Sequence, residues 1–211
     1  MPNWVYNTLI IEGDNEAIQQ LKELVAQPHQ TYWVEDKFNQ ETQQWENNGV
    51  KEETYSAVFN FWNLRSPDAD FLNDYFDKKW YDWNCENWGT KWEASEPVLN
   101  NEGDGFLIYV FQTAWSPLSL ELLREFSEKF PTLTFKHDYE EEQGWGGEAE
   151  VENGDVTHFS EYDIPQSHAD LDARDRDCWA CDSGEPEMMW DDCPEKEAWE
   201  EIDGQWIRIG E

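Results

Sequence analysis

Apolar and polar positions along the chain follow two periods. Trp4-Val5-Tyr6-Asn7-Thr8-Leu9-Ile10-Ile11 is rich in strand formers and ends at Gly13, which predicts a strand. Asp14 is placed as a helix N-cap, and Ala17, Ile18, Leu21, Leu24 and Val25 then recur at helical spacing. Residues 27–53 are rich in Gln and Asn and carry little pattern, so they read as an insertion without an assigned structure. Strand character returns from Thr54 to Trp62. A helix is expected over residues 66–80. Ser66 would be its cap, Pro67 its first residue, Asp68 and Asp70 its first turn, Lys78 and Lys79 its last.

A hairpin is expected next, with Trp88–Leu99 and Phe106–Phe111 as arms around the turn Asn100–Gly105. Its second arm is apolar throughout, as in a central strand covered on both faces. Ser116-Pro117 opens a further expected helix with Leu118, Leu122, Leu123, Phe126 and Phe130 facing inward. Leu133, Phe135, His137 and Tyr139 alternate, and Glu148–Glu152 alternates before Asn153-Gly154, a turn pair of the primed kind. Asp155–Tyr162 closes that hairpin. Strand–helix–strand units with an antiparallel extension predict an α+β fold: a ferredoxin-like sandwich with a mostly antiparallel sheet and helices on one face. It is assigned to residues 1–162. Residues 163–211 hold few periodic apolar positions and most of the cysteines, and read as an appended acidic module.

Charge changes this picture most. The 211 residues hold 48 Asp+Glu against 14 Lys+Arg, a net charge of −34, and residues 132–211 alone hold 25 acids and 5 bases. Such a surface excludes a general nucleic-acid binder and a polybasic membrane-surface protein. Disorder throughout is excluded by 14 Trp, 11 Phe and 8 Tyr, since disordered acidic chains are poor in aromatics. No run reaches the roughly 18 apolar residues of a membrane span, and Met1–Trp4 lacks the features of a signal peptide. A bacterial cytoplasm is the expected location.

Met1-Pro2-Asn3-Trp4, followed by Asn7 and a strand ending in Gly13, resembles the opening of the YubB-type ferredoxin-like proteins. Glu86-Asn87-Trp88-Gly89-Thr90-Lys91-Trp92 looks like the central signature of that family, and Thr113-Ala114-Trp115-Ser116-Pro117 like its strand-to-helix signature. Gly144-Trp145-Gly146-Gly147 is similar to its glycine-containing turn, with a different detailed composition. The resemblance spans roughly residues 1–160. It implies a ferredoxin-like fold and an origin in phages, prophages or conjugative plasmids, and it implies no activity.

Three groups of residues are candidates for function. Asn3, Asn87, Trp88, Lys91, Trp92 and Trp115 could line a pocket at the sheet edge, where Lys91 would contact an anion and the indoles would stack on a base or sugar; the plainer assignment is core packing and turns. Cys178-Trp179-Ala180-Cys181 has the spacing of a zinc knuckle, with Cys193 as a third ligand and His168 or an aspartate as the fourth. The alternative there is free thiols or a Cys178–Cys181 disulfide. The third group is acidic: Glu140, Glu141, Glu142, Glu148, Glu150, Glu152, Asp170, Asp172, Asp175 and Asp177. Alternate strand residues share a face about 6.7 Å apart, so Glu148, Glu150 and Glu152 would form a row at a pitch similar to phosphates. No nucleophile–base pair stands out, since the histidines are scattered and no phosphate-cradling glycine loop occurs.

A net magnitude of roughly 2–8 suffices for solubility, and self-repulsion at −34 destabilises the compact state. At one charge per ~1.7 Å of duplex axis, −34 would match ~58 Å of DNA. The expected function is therefore a DNA mimic from a mobile element. It would inhibit a CRISPR, restriction or similar defence protein through that protein's basic groove and bind no nucleic acid itself. The alternatives are a small-ligand or nucleotide-binding enzyme built on the Asn87–Trp92 and Thr113–Ser116 signatures, and a passive halophilic protein.

Overall fold

Strand β1 (Trp4–Gly13) places Val5, Asn7, Leu9 and Ile11 on a buried face and Trp4, Tyr6, Thr8 and Ile10 on the other. This computed structural model describes residues 2–72, 79–174 and 176–209. Helix α1 (Asn15–Val25) starts where the Asp14 carboxylate accepts the Ala17 N–H at 3.0 Å, and it buries Ile18, Leu21 and Val25. Residues 27–53, patternless in sequence, form most of an antiparallel ribbon of β2 (His29–Asn39) and β3 (Gln44–Tyr55), with a register shift between Val34 and Asp36. The ribbon is a sheet of its own. His29 stacks on Trp62 with ring centroids 4.9 Å apart.

Several expected boundaries move. In the expected helix over residues 66–80, the N–H groups of Phe71 and Leu72 bond the Asp68 carbonyl, residues 73–78 lie outside the described residues, and α2 runs instead over Trp80–Asn87. Trp88 is therefore not the start of a strand: it is buried, and its indole N–H donates to the Arg65 carbonyl at 2.8 Å. The hairpin's first strand is β4 (Ser95–Gly103), and its second is β5 (Phe106–Ala114). Leu107, Tyr109, Phe111 and Thr113 of β5 are buried, while Phe106, Ile108, Val110 and Gln112 are half-buried, so β5 is not enclosed equally on both faces. Helix α3 (Leu120–Lys129) begins at Ser119 rather than Ser116. Leu118 N–H reaches Asn7 Oδ1 and Ser119 N–H bonds the Trp88 carbonyl, which holds the preceding segment out of the helix.

β6 (Leu133–Glu141), β7 (Gly146–Glu152) and β8 (Asp155–Tyr162) complete an antiparallel sheet of order β4-β5-β1-β6-β7-β8. Strands β4, β5, β1 and β6, with α1 and α3 between them in sequence, give the ferredoxin-like order, and β7–β8 extends it. Asn153 and Gly154 both have positive φ, as a primed turn requires. Leu9, Ile11, Ile18, Leu21, Phe111 and Phe126 belong to one core between the sheet and its helices.

The chain divides into two compact units, Met1–Tyr162 and Asp163–Glu211. Within the second lie α4 (His168–Asp172), α5 (Trp179–Ser183), two 3-10 turns and the hairpin β9 (Trp199–Ile202)–β10 (Gln205–Arg208). Its core is small: Leu171, Cys178, Met189 and Cys193, flanked by Cys181 and Trp190. Among the described residues, no helix is long and apolar enough to cross a membrane.

Candidate binding face and metal centre

The sheet face opposite the core has two halves. On β5 and β1 it presents half-buried Ile108, Val110 and Ile10 and exposed Tyr6. On β6 and β7 it is acidic. Asp138 stands directly opposite Glu148, Lys136 opposite Glu150, and Thr134 opposite Glu152. Neighbouring donors hold several of these carboxylates. Glu148 meets His158 Nε2 at 2.9 Å, Glu150 accepts the Thr157 hydroxyl at 3.1 Å, and Glu152 accepts the Thr134 hydroxyl at 2.9 Å. Tyr162 donates to Glu140 at 3.0 Å. Gly146, opposite Glu140, makes room for that last contact, because a Cβ there would lie 2.7 Å from the Tyr162 hydroxyl. Ile10, Lys136, Asp138, Glu148, Glu150 and His158 are among the residues lining a hollow of about 220 Å³, below the roughly 300–1,000 Å³ of a ligand pocket. The area is a surface rather than a cleft.

Not every candidate acid belongs to it. Glu141 is buried at the end of β6, only 2 % exposed, where its Oε2 accepts the Gln143 N–H at 2.6 Å and its Oε1 has no partner among the described residues. It cannot present charge at the surface. Glu142 is exposed. In the second unit Asp170 accepts the Gln166 N–H, Asp172 faces His168, Asp177 is exposed, and Asp175 lies outside the described residues.

The signature motifs are largely structural. Asn7, fully buried, donates to Val5 O at 2.8 Å and Thr113 Oγ1 at 3.0 Å. Its Oδ1 is therefore an acceptor, and His137 Nε2, 2.9 Å away, must carry the proton. Burial lowers the His137 pKa to about 4, so the ring is neutral. The Thr90 hydroxyl ties both backbone groups of Ala114. Asn87 donates to the Trp83 carbonyl and accepts from Arg65, and Asn3 offers its carbonyl to Trp115 N–H. Of the pocket candidates, the side chains of Lys91, Trp92 and Trp115 come together at the surface. Lys91 Nζ sits 4.5 Å from the Trp92 ring centroid and 4.9 Å from that of Trp115.

In the second unit the Cys178–Cys181 segment forms a tight helical turn. Cys178 caps α5, Asp182 N–H bonds the Cys178 carbonyl, and Gly184, at φ +68°, ends the turn with its N–H on the Cys181 carbonyl. Ligand atoms of His168, Cys178, Cys181 and Cys193 all lie within 4.8 Å of one another. Cys178 and Cys193 sulfurs are 3.7 Å apart, and Cys181 Sγ is 3.6 Å from His168 Nδ1. All four cysteines are free thiols. The other ring nitrogen, His168 Nε2, lies 3.4 Å from Asp172 Oδ2, while Asp192 accepts the His168 and Ala169 N–H groups at 3.0 Å each. Hydrogen bonding to Cys178 raises the His168 pKa, and burial followed by the neighbouring sulfurs pushes the Cys193 thiol up to about 12. The cluster has the donors for a metal ion such as zinc. Asp172 and Asp192, which fix the histidine, were not recognisable as its supports from spacing alone.

Comparison with known proteins supports the fold. Residues 87–178 match the family described as "Ferredoxin-like domain in Api92-like protein". The crystal structure of protein api92 from Yersinia pseudotuberculosis superposes with a TM-score of 0.57 at 12% identity, covering 78% of this chain and 99% of that one. That likeness bears on the fold alone. No curated protein sequence matches the chain. The resemblance read from the signatures thus stands at the level of a ferredoxin-like domain similar to that of Api92-like proteins; a YubB-type assignment is finer than these matches.

Proposed function

We propose that the chain is a binding protein, carried by a mobile element, that offers its acidic sheet face to the basic nucleic-acid groove of a host defence protein in the bacterial cytoplasm. It acts as a decoy for duplex DNA, in the manner of an anti-CRISPR or anti-restriction protein. One observation carries this proposal: Asp138 and Glu148 are cross-strand neighbours. Like charges directly opposite in a sheet are destabilising, and here they occur in a chain already at −34. A decoy gains from that arrangement what the fold loses, because charge density attracts a basic groove. The hydroxyls of Thr134, Thr157 and Tyr162 hold Glu152, Glu150 and Glu140 without neutralising them, whereas Glu148 meets His158, and Lys136, opposite Glu150, pairs with Glu12. To test the proposal, the tagged chain is incubated with host lysate and washed with duplex DNA. A nucleic-acid-binding protein displaced by the DNA supports mimicry; partners indifferent to DNA oppose it.

We further propose that the second unit holds one structural zinc through His168 Nδ1 and the sulfurs of Cys178, Cys181 and Cys193. Zn–S near 2.3 Å and Zn–N near 2.0–2.1 Å in a tetrahedron imply ligand separations of about 3.8 Å for S–S and about 3.6 Å for S–N. The 3.7 Å and 3.6 Å separations fit. Asp172 would accept from Nε2–H and so keep Nδ1 free for the metal, as carboxylates behind zinc histidines do. Metal analysis of protein grown with zinc should find about one equivalent, lost on changing Cys178 and Cys181 to Ser. Metal-free protein with four titratable thiols would contradict it.

A further inference from the structure

Lys91 is one of 14 basic residues in a chain with 48 acids, yet among the described residues its ammonium meets no carboxylate. It rests instead on aromatic faces: Trp92 at 4.5 Å, Trp115 at 4.9 Å, Tyr81 at 5.6 Å and Trp80 at 6.0 Å from the ring centroids. Ring faces carry negative charge, so several of them around one point select a cation. The cage is open to solvent, with Tyr81 and Trp115 each 45 % exposed and Trp92 37 % exposed. Trp115 is held at φ +63°, a left-handed conformation costly for a bulky residue, by its N–H bond to the Asn3 carbonyl. The site is also continuous with the sheet face described above. Trp4 lies against Trp92 at 6.2 Å, and Trp4 and Tyr6 project from the same face of β1. Tyr6 stands directly opposite Glu140 of the acidic field.

We propose that the Lys91 cage is the anchor point of the acidic face and receives an arginine side chain of the partner, with Lys91 as the resident cation that the guanidinium displaces. The proposal rests on the reading of a basic protein partner. Arginine is the fitting occupant because its guanidinium is planar, weakly hydrated and stacks on indoles, whereas an ammonium is strongly hydrated. A central aromatic anchor beside charged groups is also how protein interfaces concentrate their energy. The net charge disfavours an anionic occupant such as a nucleotide.

The test uses the full chain, titrated calorimetrically with nona-arginine and with nona-lysine at equal ionic strength, with the indole N–H resonances of Trp92 and Trp115 as local reporters. The wild type should bind the arginine peptide more tightly and shift both resonances. Trp115→Asn removes the ring while tolerating the left-handed backbone, and should weaken arginine binding roughly tenfold, to the level of the lysine peptide. Trp92→Leu should do the same. Lys91→Met, which keeps the stem and removes the competing charge, should tighten arginine binding. Changing Glu148, Glu150 and Glu152 to Gln should weaken both peptides alike, so a failed acidic face and a failed cage are told apart. Equal affinity for the two peptides in the wild type, or unchanged arginine binding in Trp115→Asn, would overturn the proposal and leave Lys91 a structural clamp.

Discussion

Asn7 shows what single side chains do in this core. Its amide connects Val5, Thr113 and His137, and a leucine in its place would leave the His137 N–H and the Thr113 hydroxyl buried without their partner. Each such group costs about 1–3 kcal/mol, so Asn7→Leu should lower unfolding free energy by about 2–4 kcal/mol in urea titration. His137 also makes stability depend on pH. Its folded pKa of about 4 lies below its ordinary 6.5, so the folded chain binds fewer protons than the unfolded one between those values. The stabilisation is complete above pH 6.5 and is lost as pH falls through 4, amounting to about 3 kcal/mol. Glu93 acts oppositely: burial raises it to about 7, so its contribution fades as pH rises towards 7. The difference between wild type and His137→Gln isolates the histidine, and a pH-independent difference would contradict this assignment.

At the scale of elements, what could be read in the sequence depended on one-sided burial. β1, α1 and β6 each bury one face, and their apolar positions carry the matching period. The β2–β3 ribbon pairs only with itself, so its Gln- and Asn-rich sequence needs no apolar stripe and shows none. Helix α2 was hidden because its tryptophans suit a strand as well as a helix. The start of α3 is set by the Asn7 and Trp88 contacts, which local spacing cannot express. The His168, Cys178, Cys181 and Cys193 set is legible from ligand chemistry, whereas Glu141 is buried despite its charge because it shares the alternation of β6 with Tyr139. Gly147 allows a direct check of the β7–β8 packing. Gly147→Ala would press a methyl against backbone and the Tyr139 ring, and should cost about 1–3 kcal/mol. A neutral result would mean that the strands separate more easily than this contact implies.

Over the whole molecule, charge and size set the behaviour. Among the described residues the second unit, Asp163–Glu211, packs around a hydrophobic cluster of four buried residues, too few for independent stability in so short a segment without a staple. Chelation of the proposed zinc should therefore expose amides of residues 163–209 to hydrogen exchange while β1, β5 and β6 stay protected. Uniform protection with and without chelator would remove the structural role of zinc. The net charge of −34 should make added salt raise the melting temperature by screening repulsion. The decisive measurement is affinity for the captured target as a function of salt, for the wild type and two triple variants. One variant changes Glu148, Glu150 and Glu152 to Gln on the open face; the other changes Glu16, Glu23 and Glu121 to Gln on the helices. Mimicry predicts steep weakening with salt, competition by duplex DNA, and a much larger loss in the first variant than in the second. Binding that ignores salt and DNA, or equal losses in the two variants, would contradict it.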